Sequence, residues 1–164
     1  MYSRQNLIES IKHEHNVIKH LFAKIPEDKF DYKPTEKQRT TLELLQYLSM
    51  VTPATIEAIR TADTKAFIPF VEISKTVTAE NFLELFDKHL ILALESLDKI
   101  SDEDLHTTIN VFRMGDMPKG VYFVETILKW LSAYKMQLFL YIKASGNTAL
   151  GTSNLWGGFD TEVL

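Results

Sequence analysis

Cysteine is absent from these 164 residues. That excludes disulfides, thiolate catalysis and cysteine-based zinc or iron–sulfur sites, and it is compatible with a reducing cytoplasm. Glycine and proline are scarce, at 6 and 5 residues, which fits a helical soluble protein. No block of like charge occurs and the formal net charge is −4, so nothing points to nucleic acid phosphates. The longest apolar stretches are broken by Lys, Glu or Gln well short of a membrane span, and the N-terminal residues lack the apolar core of a secretory signal. The expected location is the cytoplasm. Catalytic motifs are missing as well. There is no glycine-rich phosphate loop, no G-x-S-x-G and no Glu-x-x-His pair on a helix, and no serine has the context of a nucleophile.

What is present is helical patterning. With 45% apolar and 24% charged residues, the chain is long enough to form one domain, 1–164, with a real core. Leu7, Ile11, Ile18, Phe22 and Ile25 form the stripe of a first helix over about 3–24, stopped by Pro26. Glu14 and His15 fall where its next core residue belongs. Thr40-x-x-Glu43 is a capping box that opens a second helix, with Leu44, Leu45, Leu48, Val51, Thr55 and Ile59 inside. Pro53 removes the bond to the carbonyl of Ser49, so a kink or a break is expected there.

Residues 63–77 read as a linker. Thr78 then caps a third helix over about 79–99, carrying Phe82, Phe86, Leu90, Ala93, Leu94 and Leu97, with His89 at the edge of the stripe. Residues 105–118 read as irregular. A fourth helix, about 119–145, has one stripe of Val124, Ile127, Leu131, Leu138 and Ile142. A second stripe holds Phe123, Trp130, Tyr134, Gln137 and Tyr141, and Gly146 ends the helix. Such a helix is buried on more than one side, and its surplus apolar surface implies a homodimer. The tail, 147–164, contains Leu155, Trp156 and Phe159, so it is expected to pack on the bundle or on a partner.

Histidine is the natural metal ligand in a chain without cysteine, but its spacing here is wrong. His13 and His15 are two apart and point to different faces. His13 and His20 are seven apart, roughly 10 Å along the axis. Both His13 and His20 read as surface residues. His15 and His89 read as core-edge histidines bonded to a carbonyl or hydroxyl, or else as pocket residues.

Two segments resemble a known family. Thr41-Leu-Glu-Leu-Leu-Gln-Tyr47-Leu in the second helix, and Trp130-Leu-Ser-Ala-Tyr134-Lys-Met-Gln137-Leu with the closing Ala-Ser-Gly146 in the fourth, resemble the DinB/YfiT-like proteins. The family signature is His-x-x-x-His-x-x-Gln-Leu on the last helix plus a third histidine before a leucine in the second. The resemblance implies an all-α four-helix bundle with long crossovers and frequent homodimers. Some members are metal-dependent thiol transferases or hydrolases.

In the family the three histidines hold a divalent metal; here Tyr47, Trp130 and Tyr134 stand in their places. Trp has no usable lone pair and neutral Tyr is a poor ligand, so no metal and no cofactor is expected. The three rings are expected to pack together, with hydroxyls bonded to Gln137, His15 or water. Alternatively they line a pocket for a small organic ligand, with His15, His89, Gln137 and Tyr141 as neighbours. Two function classes follow. One is a non-catalytic small-molecule-binding or interaction protein, and the other an enzyme with a displaced or metal-independent site.

Overall fold

The structure, a computed structural model, describes residues 3–161. Local side-chain chemistry sets where the first two helices begin. In α1 (Arg4–Phe22), Ser3 Oγ accepts from the Asn6 N–H at 3.1 Å and Asn6 Oδ1 accepts from the Ser3 N–H at 3.1 Å. In α2 (Thr41–Thr61), Thr40 and Glu43 make the reciprocal pair expected from the sequence, at 3.1 and 2.7 Å. Two further long helical segments follow, α4 (Phe82–Asp98) and the run 119–144. The α1 helix packs on α4 and on the last helical run, and α2 packs on the same two, so the apolar stripes of all four face one core. The architecture is all-α; the sheet content among the described residues is one antiparallel pair, β1 (Thr108–Ile109) with β2 (Met117–Pro118).

The α2 helix is the most enclosed element, with 14 of its 21 residues buried and every residue from 48 to 56 out of solvent. Pro53 sits inside that run and does not break the helix. Its missing N–H frees the Ser49 carbonyl, which water does not reach. His89, on the facing side of α4, supplies the replacement donor, with Nδ1 2.8 Å from Ser49 O. A carbonyl can only accept, so Nδ1 carries the proton. His89 is therefore a structural residue bonded to a carbonyl.

Two segments are more ordered than their composition implies. The stretch 63–77 contains α3 (Phe67–Ser74), a very apolar helix lying on α2 with Ile68 and Ile73 left exposed. Its short length and internal Pro69 hide any helical period. The stretch 105–118 is pinned by Tyr122, whose buried hydroxyl accepts from the Val111 N–H at 2.9 Å. The same hydroxyl donates between the carbonyls of Gly115 (2.6 Å) and Val111 (2.9 Å). The third long helix starts at Phe82, after a Thr78–Asn81 turn, and not at 79.

The final helical run is α5 (Lys119–Phe123), a π-helical turn (Val124–Leu128) and α6 (Lys129–Ala144). Gly146, at φ 131°, closes it. The Asn147 N–H reaches the Ile142 carbonyl at 3.1 Å and the Gly146 N–H reaches Lys143 at 3.3 Å. That is a Schellman cap, which glycine enters without a Cβ clash.

The chain then folds back over α1 through α7 (Thr152–Trp156), burying Leu150 and Leu155. His13 and His20, expected on a solvated face, receive this tail. His13 Nε2 lies 2.8 Å from the Trp156 carbonyl oxygen, and His20 Nε2 lies 3.0 Å from Asn154 Nδ2. Lys24 pairs with Asp160 at 2.6 Å. Gly158, at φ 69°, passes so close to α1 that a Cβ there would lie 3.2 Å from Val17 Cα.

The proline–histidine relation makes a quantitative prediction. Replacing His89 with Phe leaves the Ser49 carbonyl unpaired in the core and should cost about 1–3 kcal/mol. Pro53→Ala restores an N–H to that carbonyl, so the double variant should recover part of the loss. Urea unfolding of the four proteins of this cycle measures the coupling, and additive effects would contradict it.

Candidate functional site

Because α2 packs on α6, Tyr47 and Tyr134 are brought face to face across the helix pair. Their ring centroids are 4.6 Å apart and tilted by 56°. Arg39, one residue before the α2 cap, lies over them, with its guanidinium carbon 4.6 Å from the Tyr47 centroid and 5.8 Å from that of Tyr134. This is cation–π geometry, favourable because the ring faces carry negative charge. Burial, then the neighbouring Tyr134, pushes the Tyr47 phenol well above the usual tyrosine range, against the pull of Arg39. A cleft of about 530 Å3 opens on Tyr47, walled by the loop 33–40, the first turns of α2, and Val71 and Ser74 of α3. Its size is that of a small-molecule site.

The other residues singled out in the sequence are not all gathered there. Trp130 turns away from both tyrosines and meets Phe112 edge-on at 5.5 Å, and Phe112 in turn meets Phe67 at 5.7 Å. The expected cluster of three rings is a pair of tyrosines plus a separate Trp–Phe–Phe chain. Gln137 donates to the Tyr141 hydroxyl at 2.7 Å, and Tyr141 stacks edge-on against Tyr32 at 5.8 Å. The hydroxyls of Tyr47 and Tyr134 therefore do not use Gln137.

His15 differs from the expected carbonyl-bonded histidine. It is fully buried, neither ring nitrogen has a hydrogen-bond partner, and the ring stacks on Phe86 at 4.0 Å. Burial lowers its pKa to about 3, assisted by Lys19 and His89 and opposed by Asp87. His89 is likewise held low by burial, partly offset by its bond to Ser49.

Two residues that matter went unmarked in the sequence reading. Lys135 is completely buried and lies 2.8 Å from Glu14 Oε2, with its ammonium 4.7 Å from the centroid of Trp156 in the tail. The signal was available, because Lys135 interrupts the Leu131–Leu138 stripe just as Glu14 interrupts the stripe of α1. Arg39 has no sequence signature; only the fold puts it above the tyrosines.

The arrangement can be compared with known structures. A crystal structure of a DinB-like protein from Bacillus subtilis, YjoA, matches with a TM-score of 0.72 at 20% identity, covering 88% of this chain and 95% of that one. The fold is DinB-like. No protein-family model and no curated protein matches the chain.

The DinB-like resemblance implies a divalent metal at the positions of Tyr47, Trp130 and Tyr134, and the donors present do not fit one. Trp130 offers no lone pair and faces Phe112. Tyr47 is held protonated by its surroundings. The Arg39 cation already lies against both tyrosine rings and would repel a second cation. Among the described residues, no three His, Asp or Glu side chains gather into another ligand set.

The His15 environment fixes a pH dependence. Its folded pKa of about 3 lies below the ordinary 6.5, so the unfolded chain binds the extra proton between those values. Stability is then full above about pH 6.5 and falls as pH drops, by about 1.4 kcal/mol per unit. Urea unfolding of the wild type between pH 6 and pH 4 should lose about that much more per unit than His15→Leu. Parallel pH profiles of the two proteins would contradict this assignment.

Proposed function

We propose that this protein is a non-catalytic small-molecule-binding protein on a DinB-like scaffold, whose ligand is an organic molecule seated in the cleft beside Tyr47. The observation that carries the reading is the cleft itself, about 530 Å3, floored by a half-buried tyrosine whose ring is flanked by Tyr134 and by the Arg39 guanidinium. An aromatic ring held by two neighbours offers a planar ligand a rigid edge with little entropy left to lose. The buried groups suited to acid–base chemistry at a displaced site include His15, His89 and Lys135. Lys135 and His15 are fully covered, and His89 is committed to Ser49. Binding without turnover is the reading these positions favour.

The working state of the proposal is a cytoplasmic homodimer. No helix among the described residues is long and apolar enough to cross a membrane. Val121 and Leu140 on the last helical run remain 45% and 53% exposed, although the tail covers part of its neighbouring face. Contact between two copies would remove such apolar surface from water. Light scattering at micromolar concentration should give twice the chain mass, and Leu140→Glu should shift it toward the monomer. A monomeric wild type would end this part of the proposal.

Binding is tested by a screen of small aromatic fragments followed in protein NMR spectra. Bound fragments should displace the amide signals of Thr40, Gln46 and Tyr47 together, and Tyr47→Leu should weaken them at least several-fold. A screen in which no fragment moves these three signals would count against the cleft as a binding site.

A further inference from the structure

We infer that the ligand of the Tyr47 cleft carries an acid group, a carboxylate or a phosphate monoester, received by Arg39 and Lys37. The inference rests on the binding reading above and adds the chemical class.

The polar groups around the cleft are almost all committed to the protein. Lys33 pairs with Glu36 at 3.1 Å. Glu43 turns its carboxylate back onto the Thr40 N–H at 2.7 Å, and the Thr40 hydroxyl accepts from the Glu43 N–H. Gln38 accepts from Thr35 at 3.0 Å, Gln46 donates to the Val77 carbonyl at 3.0 Å, and Ser74 donates to Val71 at 2.9 Å. Two charged groups are left over. Lys37 has no ion pair or hydrogen bond, and Arg39 uses only the face of its guanidinium, on the tyrosines.

Stacking leaves the edge of Arg39 free. That edge carries five N–H donors in a fixed fork, matched to the two oxygens of a carboxylate or phosphate. Because Tyr47 and Tyr134 already hold the plane, little rotamer entropy remains to be lost when the fork is occupied. The charged lining is three cations against two carboxylates, and both carboxylates are engaged, so the unpaired charge is positive. A cationic ligand would meet Arg39 and Lys37 head-on. A neutral acceptor would gain only an unassisted hydrogen bond from the guanidinium, about half as strong as one to a carboxylate or phosphate. The Tyr47 phenol, held protonated, does not repel an anion.

The test is an NMR titration of the full chain with benzoate, phenyl phosphate, benzamide and benzylamine, one aromatic ring with four end groups. The signals followed are the Arg39 Nε–H and the amides of Thr40 and Tyr47. At least one anion should bind tenfold or more tightly than benzamide and benzylamine, and added salt should weaken it. Arg39→Gln should remove that preference, Lys37→Gln should reduce it several-fold, and Arg39→Lys should fall between wild type and Arg39→Gln. Arg39 and Lys37 are exposed, and unchanged melting temperatures of their variants check the fold. Benzamide binding as tightly as the anions, or an anion preference that survives Arg39→Gln, overturns the acid-group inference while leaving the binding reading in place. If no compound moves the cleft signals, both fall.

Discussion

A helix enclosed on every side for more than two turns cannot leave a carbonyl unpaired, and α2 contains a proline. The bond from His89 to the Ser49 carbonyl resolves that conflict, and much of the architecture follows from it. It fixes α4 in rotation and in height against α2. One turn earlier on α4, Phe86 then lies over α1, where His15 stacks on it, and Phe82 continues the stack to Phe22 at 4.8 Å. Lys19 to Asp87, at 2.7 Å, holds the outer edge of the same contact. A single side chain thus compensates a backbone defect in α2 and, through its own helix, sets the register of α1.

The opposite face of α1 is governed by charge. Glu14 and Lys135 occupy core positions of α1 and α6, and each would be costly to bury alone. Their pairing limits the cost without making it a source of large net stability, because both must be dehydrated. It does exclude registers of the two helices in which one charge faces leucine. The tail completes the arrangement. Trp156 presents its ring to the buried ammonium, and His13, His20 and Lys24 hold the segment down through polar contacts along α1. The C-terminal segment therefore acts as the cover of a buried ion pair, which explains why a polar-looking stretch carries Leu155 and Trp156.

The sequence made the long helices legible because each carries a wide apolar stripe, and two of them open with a capping box whose partners are local. The Pro53 defect was legible too, since it depends only on the missing N–H. Its remedy was not, because His89 lies 36 residues away from Pro53 in the chain and only packing brings it there. The helix α3 was hidden because eight residues with a proline and almost uniform hydrophobicity show no period. At the site, only the family resemblance implied that Tyr47, Trp130 and Tyr134 stand where DinB-like proteins carry metal ligands. The arrangement these side chains adopt was not legible. The cation above the tyrosines comes from Arg39, a loop residue placed by the α2 cap, and Trp130 follows the irregular segment 105–118 by packing on Phe112.

The tyrosine pair and Arg39 give this part of the scaffold a chemistry of its own. A divalent ion among three imidazoles concentrates positive charge and draws in anionic or water ligands. Here the positive charge lies at the rim, on Arg39, against the rings of Tyr47 and Tyr134, which attract it. The side chains remain large, so the space between α2 and α6 stays filled and the helix pair keeps its spacing. In the reading proposed above, an anion is held by hydrogen bonding from a stacked fork rather than by coordination. A guanidinium, unlike a metal ion, does not lower the pKa of a bound water toward neutrality. A tyrosine pair under an arginine thus suits the recognition role proposed above, and the arrangement is confined to one cleft.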